Sequence, residues 1–206
     1  DRLTGLYAKE AGTRLVQRYL ERKRPEEVCA LMLLDLDDFK AINAEEGSAF
    51  ADALLQEVAA LLRAETQPGD ILVRLGGDEF AVIVTNRHIE QRDAMIRNIQ
   101  NLFSRPWLLQ GTEYYCTMSM GIVTVVYIPK DGIDLSLLLQ RADIALHWAK
   151  SQGKNRVEYY NNNQCTSSVE RLDMEKCMRE AVEQGCKEFE VYYQPLIDIS
   201  KPERPC

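Results

Sequence analysis

The sequence predicts an α+β fold, a ferredoxin-like, palm-type sheet with an antiparallel centre flanked by helices, followed by a short helix and strand from a truncated second domain. Three observations predict it. Val28 to Leu36 is an almost unbroken apolar run of strand length, as expected of a strand buried on both faces. Ile71 to Leu75 and Phe80 to Thr85 are β-rich runs separated only by Gly76-Gly77-Asp78-Glu79, which reads as a hairpin with a glycine-bearing turn. Helical and strand-like segments then give the order β-α-β-β-α-β-α-β, with the helices expected mainly on one face.

In chain order, residues 9 to 24 read as a helix, and the first strand, Val28 to Leu36, ends in acidic residues. Ala51, Leu54, Leu55, Val58, Leu61 and Leu62 follow helical spacing until Pro68-Gly69 breaks the pattern. After the hairpin, Ile96, Ile99, Leu102 and Phe103 mark a helix that ends near Pro106, and Tyr114 to Tyr127 alternates as one long strand. Leu135, Leu138, Leu139, Ala142, Leu146 and Ala149 form a strongly periodic helix closed by Gly153, before a short strand at Val157 to Tyr160. Asn161-Asn162-Asn163-Gln164 has linker composition. The expected organisation is a domain over 1–160, a linker over 161–168 and the start of another domain over 169–206. The chain lacks an initiating Met and stops just after the strand-like run Phe189 to Ile199, so it reads as a piece of a longer protein.

Composition narrows the function. With 46% hydrophobic and 28% charged residues the chain can bury a core, and no apolar run approaches the roughly 20 residues of a membrane-spanning helix. The 25 Lys and Arg against 32 Asp and Glu leave a net charge of −7, which argues against a surface that wraps nucleic acid or anionic lipid but not against a small phosphate-bearing ligand. The six cysteines contain no C-x-x-C pair and read as reduced thiols. His88 and His147 lie far apart, each without a nucleophile or metal-spaced partner, which speaks against Ser-His or Cys-His catalysis and against zinc.

The chemistry-bearing residues are acids. Asp35, Asp37 and Asp38 lie where the first strand emerges, and the hairpin tip supplies Asp78 and Glu79. Alone, the three aspartates would read as ordinary capping or solvated loop acids. If the two strands are neighbours, the carboxylates converge into hard oxygen ligands suited to Mg²⁺ or Mn²⁺ beside a phosphate group. An EF-hand is excluded, because Phe39 and Lys40 stand where its pattern needs Asp or Asn and then Gly.

The string Arg74-Leu-Gly-Gly-Asp-Glu-Phe80 resembles the defining motif of the GGDEF-domain diguanylate cyclases. DRLTGL at 1–6, DLDDFKAIN at 35–43, MSMGI at 118–122 and RADIALHWAKSQGKNRV at 141–157 resemble further blocks of that family, in the same order. The resemblance implies a nucleotidyl-cyclase-like fold that makes cyclic di-GMP from two GTP, releasing two pyrophosphates. Each 3′-hydroxyl attacks the other nucleotide's α-phosphate. By position it implies metal binding by Asp35, the Leu36 carbonyl, Asp78 and Glu79, with Mg²⁺ or Mn²⁺ as cofactor. Glu79 matches the indispensable acid and, with Asp78 and Lys40, makes up the implied catalytic set. Phosphates would be held by the backbone amides of Asp38 and Phe39 and by Lys40, Lys150 and Lys154. Asn43 and Asp52 match the positions that read guanine. A carboxylate accepts from the guanine N1 hydrogen and exocyclic amine, which adenine does not offer, so Asp52 favours GTP over ATP. Without a ligand to read, Asn43 is a helix or turn cap and Asp52 a first-turn acid.

One such site holds one GTP, so the resemblance also implies a homodimer. The implied compartment is the cytoplasm, for a parent either soluble or membrane-anchored, with a sensory region upstream. Residues 188 to 198, EFEVYYQPLID, resemble the opening of an EAL phosphodiesterase domain whose catalytic motifs would lie beyond Cys206. This chain departs from the family in three places after Asn43: Ala44, Ser48 and Ala51 replace the usual Asp, His and Gly. It also has Gln67-Pro68-Gly69-Asp70 where relatives carry the R-x-x-D product-inhibition site, which predicts weak or absent feedback through that site. Two other functions stay open: a GTP-binding regulatory module that controls an adjoining EAL domain, and another nucleotidyl cyclase or polymerase-like palm.

Overall fold

The structure, a computed structural model, describes residues 1–24, 27–86, 88–109, 111–125 and 134–161. Contacts divide the chain into two units, Asp1–Cys165 and Thr166–Cys206. The second unit, most of the expected linker and Tyr127 lie outside the described residues, as do the short helix and strand expected of a second domain.

In chain order the elements are β1 (Tyr7–Ala8), α1 (Lys9–Arg22), β2 (Cys29–Leu36), α2 (Phe39–Glu46), α3 (Ser48–Glu65), β3 (Ile71–Gly76), β4 (Glu79–Val84), α4 (Ile89–Phe103), β5 (Trp107–Leu109), β6 (Thr112–Tyr114), β7 (Met118–Val125), α5 (Leu135–Ser151) and β8 (Val157–Tyr159). Six strands form one sheet in the order β1-β3-β4-β2-β7-β8. Its centre, β3-β4-β2-β7, is antiparallel, while β1 and β8 join the edges in parallel.

All eight residues of β2 are buried. That burial requires cover on both faces, and the helices supply it. Ala30, Met32 and Leu34 pack with Leu54, Val58 and Leu62 of α3 and Ile96 and Ile99 of α4. Leu31 and Leu33 pack with Val16 and Leu20 of α1 and Leu138, Ala142 and Leu146 of α5. The expectation of helices mainly on one face is therefore corrected: α1 and α5 cover one side, α3 and α4 the other. Such a strand has no solvent-facing stripe, which is why it reads as a continuous apolar run.

Other differences are local. As far as Val125, the predicted strand from Tyr114 to Tyr127 is two strands in different sheets, because Tyr115–Thr117 leave the ladder and β6 pairs with β5. The helix anticipated from Ala51 begins at Ser48, and a separate helix, α2, precedes it. The turn between β3 and β4 narrows to Gly77 and Asp78, with Gly77 at φ 52°, a left-handed conformation that glycine adopts without a Cβ clash. Among the described residues, no helix is long and apolar enough to cross a membrane.

Candidate active site

Strand register brings the acids together. Asp35, near the end of β2, is the direct cross-strand partner of Glu79, the first residue of β4. Side chains alternate along a strand, so Asp35 follows Leu31 and Leu33, and Glu79 precedes Ala81 and Ile83, all toward the α1 and α5 side. Their common mouth is a cavity of about 580 Å³ lined by Asp35, Leu36, Asp37, Asp38, Phe39, Lys40, Ala41, Asp78, Glu79, Lys150 and Lys154. Nine of the eleven residues to which the family resemblance assigns a role therefore line one cavity. Asn43 and Asp52 do not; both are exposed, on α2 and α3. Neither is a first-turn residue. Asn43 lies inside α2, with its carbonyl accepting from Gly47 N–H, and Asp52 is the fifth residue of α3. Ala51 is buried at 3% exposure with the core-facing residues of α3, so its methyl fills a packing contact.

Opposite charges meet across the cavity. Lys150 Nζ of α5 lies 2.7 Å from Asp35 Oδ1, and Lys154 Nζ lies 2.6 Å from Asp38 Oδ1. Burial pushes the Asp35 carboxyl above its usual range; the Lys150 hydrogen bond pulls it back, and the charges of Asp78 and Glu79 raise it further. The hydrogen bond to Asp38 raises the pKa of the Lys154 ammonium. Among the described residues, no three His, Cys, Asp or Glu side chains form a ready cation cage. The convergence expected of Asp35, Asp78 and Glu79 thus takes the form of a shared cavity wall in which Lys150 is the counter-ion of Asp35. The donor set still fits a hard divalent cation, since the oxygens are carboxylate and carbonyl and a cation would relieve the like-charge crowding on Asp35.

Two contacts were not visible in the sequence. Asp37, grouped there with its neighbours, is 5% exposed and accepts from Thr117 Oγ1, Ser119 Oγ and the Asn155 N–H. Arg74 stiffens the hairpin tip: its Nε and Nη2 donate to the Gly77 carbonyl at 3.0 and 2.7 Å, and its Nη1 meets Asp1 Oδ1 at 3.1 Å. The DRLTGL and RLGGDEF blocks are thereby joined. Asp70, at the position compared with a product-inhibition site, accepts from the N–H groups of Gln67 and Thr85.

The family model described as diguanylate cyclase, GGDEF domain, matches residues 1–156. The chain belongs to the GGDEF-domain family. It is 30% identical over 204 residues to cyclic di-GMP phosphodiesterase NbdA of Pseudomonas aeruginosa, covering 98% of this chain and 25% of NbdA. It is also 30% identical over 184 residues to MucR of the same organism, a bifunctional diguanylate cyclase/cyclic di-GMP phosphodiesterase, covering 89% of this chain and 26% of MucR. The chain thus spans about a quarter of the length of these relatives. The solved GGDEF domain of PA1120 (TpbB or YfiN) from P. aeruginosa superposes with a TM-score of 0.71 at 28% identity, covering 82% of this chain and 98% of that one. The α+β architecture of the GGDEF domain, a central sheet flanked by helices, is the one seen here.

Proposed function

We propose that this GGDEF domain is a diguanylate cyclase that condenses two GTP into cyclic di-GMP and releases two pyrophosphates. The observation that carries the reading is the β2–β4 register, which sets Asp35 opposite Glu79 on the wall of a cavity whose rim bears Lys40, Lys150 and Lys154. Phosphoryl transfer needs positioning and charge neutralisation more than covalent help from the protein. The three lysines supply cations for the triphosphate, and Lys150 and Lys154 exchange a carboxylate for a phosphate oxygen as the nucleotide enters. Glu79, exposed at the tip, accepts the proton of the attacking 3′-hydroxyl. A Mg²⁺ or Mn²⁺ ion held by Asp35, the Leu36 carbonyl, Asp78 and Glu79 would neutralise charge on the transferred phosphoryl group. Asn43 and Asp52, exposed on α2 and α3, are the residues that select guanine in this reading.

One cavity holds one nucleotide, whereas the product joins two. A second copy must therefore face the first, and turnover should rise more steeply than linearly with protein concentration.

A second reading, a GTP-binding module that regulates an adjoining EAL domain, is favoured by Ala44 and Ser48 in place of the family's Asp and His and by the exposure of Asn43 and Asp52 outside the cavity. Incubation of dimerised protein with GTP and Mg²⁺ or Mn²⁺ separates the two. The cyclase yields cyclic di-GMP, and Glu79→Gln lowers the rate by about 100-fold or more. Saturable GTP binding without product identifies the regulator, and consumption of ATP instead would point to a different nucleotidyl cyclase.

A further inference from the structure

We propose that Asp37 is the positioning residue for the phosphate side of the cavity: its carboxylate fastens the Lys154–Asn155 turn to the end of β2 and so sets where the Lys154 ammonium meets a triphosphate. This inference rests on reading the cavity as a nucleotide site. Asp37 differs from the acids beside it in what it binds. Asp35 and Asp38 face lysine ammonium groups, which can change partners. Asp37 faces groups fixed in the fold: Oδ1 accepts from Ser119 Oγ at 2.7 Å, and Oδ2 accepts from Thr117 Oγ1 at 2.7 Å and from the backbone N–H of Asn155 at 3.0 Å. Its own N–H donates to the Thr117 carbonyl at 2.9 Å. A buried carboxylate with three donors is locked in place, and it locks the donors in turn.

The turn it holds is strained. Lys154 and Asn155 stand at φ 62° and 48°, a left-handed region in which non-glycine residues persist only where their surroundings over-determine them. Lys154 N–H bonds to the Ala149 carbonyl at the end of α5, and Asn155 N–H bonds to Asp37, so the turn is pinned on both sides. Three elements therefore meet at one side chain: β2, which carries Asp35 and Leu36; the start of β7; and the segment that presents Lys154.

The test is binding of inorganic tripolyphosphate with Mg²⁺ to the whole chain, a probe independent of guanine recognition and of turnover. Asp37→Ala should weaken binding by about 10-fold. Asp37→Asn should recover most of the affinity, because its amide oxygen still accepts from Asn155 N–H while its NH₂ donates to a hydroxyl that can turn. In a Lys154→Met background, Asp37→Ala should add almost nothing. Leu62→Ala, in the core on the far side of the sheet, should lower thermal stability without moving affinity. If Asp37→Ala does not fold, the Thr117→Val, Ser119→Ala pair loosens the same carboxylate and should give an intermediate loss. The proposal is overturned if Asp37→Asn weakens binding as much as Asp37→Ala, if the Asp37→Ala loss persists without Lys154, if Leu62→Ala weakens binding as much as Asp37→Ala, if the Thr117→Val, Ser119→Ala pair leaves affinity unchanged, or if the unaltered chain does not bind tripolyphosphate. Absence of cyclic di-GMP with this binding pattern intact would remove the cyclase reading and leave the positioning role standing.

Discussion

Arg74 shows what a single side chain adds to the motif that follows it. Gly76 and Gly77 give the hairpin its tight turn, yet the same freedom would let Asp78 and Glu79 wander. The guanidinium opposes that: two of its nitrogens converge on the Gly77 carbonyl while a third reaches the Asp1 carboxylate, which itself accepts from the N–H groups of Leu3 and Thr4. Arg74→Lys keeps the charge but cannot fork, so it is not a conservative change here. Arg74→Ala should cost about 1–2 kcal/mol in urea unfolding and, on the proposed cyclase reading, should lower cyclic di-GMP formation more than GTP affinity, because the hairpin acids rather than Lys40, Lys150 and Lys154 lose their support. Equal losses in rate and affinity, or a rate unchanged from the parent, would count against this role.

At the scale of elements, the position of α5 depends on Gly121 of β7. A Cβ built there would overlap the Ala142 carbonyl oxygen and the Leu146 backbone nitrogen, so the helix backbone lies directly on the strand. That close approach brings Lys150, in the last turn of α5, to Asp35. Gly121→Ala should force α5 away from the sheet, cost about 1–3 kcal/mol and, on the proposed reading of the cavity, weaken nucleotide binding through Lys150, as read by urea midpoint and GTP titration. Retention of both would mean that the helix shifts along the strand without cost. Most such elements were legible because a core-facing helix or strand carries its period in the chain: α3, α4, α5, β2 and the β3–β4 hairpin all stand where periodicity placed them. α2 was not, since only Ile42 among its residues is buried and its N-cap makes no side-chain hydrogen bond. The β5–β6 hairpin merged with β7 because the chain leaves one ladder and enters another within three residues, Tyr115–Thr117. The site was half legible. Asp35, Asp78 and Glu79 follow from motif and register, but the Asp37–Asn155 and Lys154–Asp38 contacts join residues more than a hundred positions apart, which no local pattern encodes.

At the scale of the whole domain, and among the described residues, the two faces of the sheet each bury one cysteine, Cys29 in the core under α1 and α5 and Cys116 in the core under α3 and α4. Both are free thiols. Burial is the main cause that raises Cys29 from its ordinary 9.0 to about 11, with Lys23 and Tyr19 working against it. Burial likewise raises Cys116 to about 12, and the charges of Asp37, Asp78 and Asp38 add to the rise, so the acidic cavity is felt in the core behind it. The sign of the effect on folding follows. Between pH 9 and 11 the unfolded chain releases protons that the native state keeps, so the native state binds more protons and stability falls as pH increases. The contribution is complete below pH 9 and is lost as pH rises through 11 for Cys29 and 12 for Cys116, at up to about 1.4 kcal/mol per pH unit for each thiol. The buried Tyr19 hydroxyl, also raised chiefly by burial, acts in the same direction above its ordinary 10.0. Self-repulsion in a chain of net charge −7 grows over the same range, so the thiols are isolated by comparison: urea midpoints from pH 8 to 11 should fall less steeply in a Cys29→Ala, Cys116→Ala variant than in the parent. Parallel curves would show that the alkaline loss comes from surface charge and Tyr19, and that these two thiols titrate in the folded protein much as they do in the unfolded chain.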